Sequence, residues 1–142
     1  MKKLPKVSVN KLIINLLYKN KNEIIFCYEN KKISRLELLN KILQARTGLL
    51  KKGFKNKDTV VCLLDNSYEQ IILFLACLSL GIVWVPIESK RKGVGLNYII
   101  SLINPKKIFS KKKNINHLPK KFIKKIFYIK EGIKNLTKNT YQ

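Results

Sequence analysis

A chain of 142 residues, 46% of them hydrophobic, can bury one real core and is too short for an ordinary two-domain enzyme. Its 30 Lys plus Arg against 8 Asp plus Glu give a formal charge of +22, yet the apolar content excludes a disordered polyelectrolyte. Only Arg35, Arg46 and Arg91 are arginines, so 27 of the 30 cations are lysines, and the guanidinium fork that reads phosphates and guanine edges is nearly absent.

The first residues, MKKLPKVSVNKLIINLLYKNK, are basic and then apolar, but Asn10, Lys11 and Asn15 break the run and no small-residue cleavage site follows, which argues against a signal peptide. Residues 9–18 read as a short amphipathic helix. Ile24 to Tyr28 and Lys32 to Ile33 read as two strands around a tight turn at Glu29, Asn30 and Lys31. Ser34 caps the next helix with Glu37 reaching back, Leu36, Leu39, Leu43 and Leu50 mark its expected buried face, and Gly53 supplies a left-handed stop.

Val60 to Leu64 has no polar interruption, as a strand covered on both sides should, and Asn66 and Ser67 cap the helix that follows, with Glu69 in its first turn. Ile71 to Ile87 runs without a charge at about the lower limit for a membrane span. Lys90, Arg91 and Lys92 would suit it as a cytoplasmic anchor. Gly81 and the β-branched run after it favour instead a helix and then a buried strand, Ile82 to Ile87, parallel to Val60 to Leu64. A further helix at about Leu96 to Ile103 stops before Asn104 and Pro105, and Lys107 to Phe109 and Ile126 to Ile129 are the next strands. From Lys106 to Gln142 there are twelve lysines and one acid, Glu131.

Cys27, Cys62 and Cys77 lie far apart without paired spacing, and His117 forms no metal-ligand pattern with them, so buried reduced thiols of a cytoplasmic protein are expected. Gly93-Val94-Gly95 follows a charged loop rather than a strand and is not followed by Lys-Ser or Lys-Thr, which argues against a phosphate loop. Asp65-Asn66-Ser67, at the carboxyl end of a parallel strand, is the best placed candidate for a ligand site, with a helix cap as the simpler reading.

Two blocks carry a resemblance. Ile33-Ser34-Arg35-Leu36-Glu37-Leu38, and then Leu75-Ala76-Cys77-Leu78-Ser79-Leu80-Gly81-Ile82-Val83-Trp84-Val85-Pro86-Ile87-Glu88, with Gly53, Asp58, Val60, Asn66, Ser67 and Glu69 between them, resemble the opening of the AMP-forming acyl-CoA synthetase and adenylation-domain superfamily. The likeness runs from about Ile24 to Ser110, with Arg35 and Leu36 where that family often has an aromatic.

The resemblance implies an α/β, Rossmann-like parallel sheet with flanking helices, a partial N-terminal subdomain of the adenylate-forming fold. Residues 1–110 would form the N-terminal part of the synthetase domain and residues 111–142 a Lys-rich continuation with a further strand. The implied reaction joins a carboxylate to ATP as an acyl-adenylate and then passes the acyl group to a thiol. It implies ATP and Mg for the complete enzyme, and a small carboxylic acid and a coenzyme A or carrier-protein thiol as its partners.

The Thr/Ser/Gly-rich loop ending in lysine, the ribose-holding acid and the C-terminal adenylation lysine have no counterpart in these residues. The expectation is therefore a truncated or split ligase, inactive alone. It would bind no cofactor by itself, would offer no catalytic, cofactor-binding or metal residue, and would need a complementing downstream chain. Its sheet edges and apolar faces should stand uncovered. The alternative is a small basic module for nucleic acid or anionic membrane built on the Lys106 to Lys138 tail. Neither partner is expected, because the lysines are scattered along the chain and fit the coding bias of an AT-rich genome.

Overall fold

A computed structural model describes residues 8–111, 115 and 118–129. His117 and most of the lysine-rich tail lie outside the described residues. The order is α1 (Val9–Tyr18), β1 (Ile24–Tyr28), β2 (Lys31–Ser34), α2 (Arg35–Lys51), β3 (Thr59–Leu63), α3 (Tyr68–Ser79), β4 (Val83–Pro86), α4 (Gly93–Ile103), β5 (Lys107–Ser110), a 3-10 helix (Lys120–Lys125) and β6 (Ile126–Tyr128).

β1 and β2 form an antiparallel hairpin in which Tyr28 faces Lys31. The two residues between them, Glu29 at φ 46° and Asn30 at φ 63°, both adopt the left-handed conformation that a two-residue hairpin needs. The Ser34 side chain accepts a hydrogen bond from the Glu37 amide at 3.1 Å, as expected of the cap. The Glu37 carboxylate goes instead to Lys31 Nζ at 2.5 Å, so the reciprocal half of the capping box gives way to an ion pair.

α2 bears out Leu39 of the expected face and corrects Leu43 and Leu50. Leu38, Leu39, Ile42, Ala45, Gly48 and Leu49 are buried, whereas Leu43 and Leu50 are exposed. The helix packs against both α1 and α3, and its buried side includes the small residues Ala45 and Gly48.

Two helices end alike. Past α2, the amide of Gly53, at φ +75°, donates to Leu50 O and that of Phe54 to Leu49 O; past α3, Gly81, at φ +68°, donates to Leu78 O and Ile82 to Cys77 O. Both are Schellman closures, with buried Phe54 and Ile82 each meeting the last turn just left.

β4, β3, β5 and β6 form one four-stranded sheet in that order, with every pair parallel. Moving from β3 to β4 and then back past β3 to β5 reverses direction, so crossovers of one hand place α3 and α4 on opposite faces. Burial follows suit. Val60, Cys62, Leu64 and Phe109 pack with α1, α2 and α3, while Val61, Leu63 and Ile108 pack with Leu96 and Ile100 of α4 and with Phe122. The sequence from Ile71 to Ile87 is thus a helix and a strand, and among the described residues no helix is long and apolar enough to cross a membrane.

At the amino end of the sheet, Lys106 Nζ donates to Gly53 O and to Asp58 Oδ2, both at 2.6 Å, and lies 5.3 Å from the centre of the Phe54 ring. The Lys106 ammonium, assisted by the Lys55 amide, holds the Asp58 carboxyl below its ordinary value of 3.8. A lowered folded value contributes stability above pH 3.8, lost as the solution is acidified through the folded value. Asp58→Asn should therefore flatten the fall in urea midpoint below about pH 4. At neutral pH it should cost under about 1 kcal/mol, because the pair is partly solvated. An unchanged acid limb would show that the clasp contributes nothing.

Candidate functional site at the carboxyl end of the sheet

Open parallel sheets bind ligands where the strand order reverses, at the carboxyl ends of the strands. Here that point lies between β3 and β5, where Leu63 pairs with Ser110 and the chain leaves β3 through Asp65-Asn66-Ser67. The three residues separate in role. Ser67, buried, caps α3 by accepting a hydrogen bond from the Gln70 amide at 3.3 Å. Asp65 accepts a short hydrogen bond from Ser89 Oγ, which ties the β3–α3 turn to the loop after β4. Asn66 is exposed and makes no cap. The cap is thus made by Ser67 alone, and Asp65 is engaged rather than solvated.

Next to them, Ser110 is fully buried at the end of β5, its hydroxyl donating to Lys111 O at 3.2 Å while its carbonyl accepts the Ile129 amide at 2.9 Å. Of these groups, the Asp65 carboxylate and the Ser89 hydroxyl join two loops, Ser67 caps a helix, and the Ser110 hydroxyl bonds the next residue.

Aromatic packing unread in the sequence fixes the start of α3. Tyr68 stands 5.7 Å from Phe26 and 6.2 Å from Tyr28 between ring centres, which docks the hairpin on the helix. Burial, with the Glu37 and Glu69 charges adding to it, pushes the Tyr68 hydroxyl up to about 12, so it stays protonated. The signal available was aromatic alternation in β1 at Phe26 and Tyr28, but nothing local pairs it with a residue forty positions on. Likewise, Arg35 donates to Glu23 Oε2 at 2.8 Å and to Leu16 O at 3.1 Å, joining α1, the hairpin and α2.

Cys62 and Cys77 are buried thiols raised by desolvation to about 11 and about 12, so neither is a nucleophile at neutral pH, and Cys27 lies exposed on β1. Gly93-Val94-Gly95, expected to follow a charged loop rather than a strand, forms the first turn of α4, with six residues separating it from β4, and α4 thus starts earlier than Leu96. No atoms lie within 4 Å of where a Gly93 Cβ would stand, so close approach of this chain's own atoms does not require the glycine. Among the described residues no group of three His, Cys, Asp or Glu could hold a metal ion.

The model of the family described as AMP-binding enzyme matches residues 17–138. The chain belongs to that family. As an AMP-binding family member it is 29% identical over 91 residues to Tyrocidine synthase 1 of Brevibacillus parabrevis, covering 64% of this chain and 8% of that protein. It is 28% identical over 93 residues to an L-allo-isoleucine:holo-(CmaA peptidyl-carrier protein) ligase of Pseudomonas savastanoi pv. glycinea, covering 59% of this chain and 16% of that one.

Among solved structures, the luciferase-like enzyme of the mealworm Zophobas morio superposes with a TM-score of 0.82 at 18% identity, over 96% of this chain and 36% of that one. The artificially fused adenylation-PCP di-domain NpsA-ThdA from Klebsiella oxytoca gives 0.79 at 18% identity, over 95% and 24%. The fold is that of the N-terminal subdomain of adenylate-forming enzymes, and the chain spans less than a fifth of the length of these two curated relatives.

Proposed function

We propose that these residues build the N-terminal part of an AMP-dependent synthetase or ligase, of the acyl-CoA synthetase or the amino-acid or aryl adenylation type. Residues 1–110 carry the first α/β layers and residues 111–142 a Lys-rich continuation. The observation that supports it most is the family match, which spans the hairpin, both faces of the sheet and β6 as one unit.

In the reaction of the complete enzyme, a carboxylate attacks the α-phosphorus of ATP, pyrophosphate leaves, and a coenzyme A or carrier-protein thiol takes the acyl group. Magnesium and positioned cations neutralise the charge that develops on the phosphates. The role of this unit is scaffolding: β3 and β5 set the sheet, and Asp65, Ser67 and Ser89 hold the loops at its carboxyl edge. The chemistry comes from a downstream complement carrying the phosphate loop and the adenylation lysine, and the assembled enzyme works in the cytoplasm.

The test is carboxylate-dependent exchange of labelled pyrophosphate into ATP, run over a panel of amino, aryl and fatty acids. The 142-residue chain should give none above buffer, and a co-expressed polypeptide carrying the missing loop should restore it. Exchange by the pure chain alone, abolished by denaturation, would overturn the scaffold role.

A further inference from the structure

The two faces of the sheet are unlike. α1, α2 and α3 lie on one, whereas the other is covered by α4 and the 3-10 helix. α4 sends Leu96 and Ile100 into the core, yet its outer crest is apolar too: Val94, Tyr98 and Leu102, each four residues apart, are 86%, 67% and 72% exposed. Ile123, on the 3-10 helix, is 53% exposed. That helix is fastened beside α4 by Lys121 Nζ on Ser101 Oγ at 3.0 Å and Lys125 Nζ on Asn104 Oδ1 at 2.6 Å. A helix that is apolar on its outer crest as well as on its inner face is ordinarily covered on both sides.

Charge divides the same way. Between Ser89 and Lys130 the sequence contains no Asp or Glu. Lys90, Arg91 and Lys92 stand exposed before the amino end of α4, and Lys121, Lys124 and Lys125 flank its other end. The carboxylates of the described residues all occur at or before Glu88. Lysines are scattered along the chain, but acids are not: past Glu88, which lies in the turn before Lys90, no described residue is acidic, so the face around the apolar crest carries an excess of cations.

We propose that the α4 crest is an interfacial docking surface for an anionic lipid bilayer. Val94, Tyr98, Leu102 and Ile123 would enter the boundary between headgroups and acyl chains while the flanking lysines keep their ammonium groups among the phosphates. The helix lies on the surface and does not span it. A second copy is a poor occupant, because two identical acid-free faces would bring their cations together. A folded protein partner normally contributes about 800 Å² on its side of an interface, more than four side chains match, whereas a bilayer deforms around a protruding crest.

The experiment is co-sedimentation of the purified chain with phosphatidylcholine vesicles, with and without phosphatidylglycerol, at low and at physiological salt. Binding is expected only to the anionic vesicles. The triple variant Val94→Ser, Tyr98→Ser, Leu102→Ser keeps every charge and alters only exposed side chains. It should retain the parent's urea midpoint and partition at least about tenfold more weakly. Lys11→Glu with Lys32→Glu, on α1 and the hairpin, lowers the net charge away from the crest and should weaken binding less than about threefold.

The proposal is overturned if anionic vesicles are not bound, or if the triple variant binds like the parent, since charge alone would then be responsible. It is equally overturned if the Lys11 and Lys32 variant loses as much as the triple, if sedimentation shows a dimer that the triple variant dissolves, or if a co-expressed downstream polypeptide abolishes vesicle binding by covering the crest. Duplex DNA bound as tightly by the triple variant as by the parent, and displacing the chain from vesicles, would identify a general polyanion site instead.

Discussion

Phe109→Ala should lower the unfolding free energy by about 3–5 kcal/mol, the range for emptying a fully buried aromatic site. Phe109 is completely buried on β5, its ring centre 6.0 Å from Phe54, 6.0 Å from Trp84 and 5.5 Å from Phe127. Those three rings come from the loop after α2, from β4 and from β6, so one side chain fills the space where the sheet meets the helix layer. Removing it deletes the transfer term and leaves a cavity that strands held in register cannot close. Domains of this size have about 5–15 kcal/mol in all, so the variant sits near the edge of folding. Urea denaturation followed by the emission of Trp84, the sole tryptophan, measures the change directly. Phe109→Leu should cost distinctly less, and equal losses for the two variants would show that the ring contacts are not what holds this centre.

The second large effect separates two glycines that close helices in the same way. Gly53→Ala places a Cβ where no atom lies within 4 Å, so it should cost only the left-handed backbone term of about 1–2 kcal/mol. At Gly81 the added Cβ would run into the Asn56 side chain, which must leave its rotamer. That adds about 0.5–1.5 kcal/mol, so Gly81→Ala should be the more destabilising of the two. Asn56→Ala in the Gly81→Ala background should recover the difference but not the backbone term. If both glycine variants cost the same, the approach of Asn56 does not matter.

Local signals account for much of what was legible. Ser34 and Ser67 before apolar runs set the starts of α2 and α3, and Gly53 and Gly81 set their ends, because caps and left-handed closures involve residues within one turn of each other. The uninterrupted run at Val60 to Leu64 announced a strand covered on both faces for the same kind of reason: each residue's environment is written in its own side chain.

Where two solutions were locally equal, the sequence could not choose. α2 holds enough leucines to form a stripe at 36, 39, 43 and 50 or a face at 38, 42, 45 and 49. The buried face is the second together with Leu39 of the first, and it includes Ala45 and Gly48, small residues that do not register as hydrophobic periodicity.

The site at the carboxyl edge shows the same limit. The placing of Asp65-Asn66-Ser67 after a parallel strand was readable, but the partner of Asp65 is Ser89, twenty-four positions away, and no local rule joins them. The hairpin's docking through Tyr68 and the position of β5 beside β3 rather than β4 are also contacts between distant segments. By itself the sequence determined the elements, their caps and the family block that they spell. Tertiary structure alone decided strand order, the buried side of α2 and the gathering of an acid-free apolar crest on one face, because these depend on which distant surfaces exclude water together.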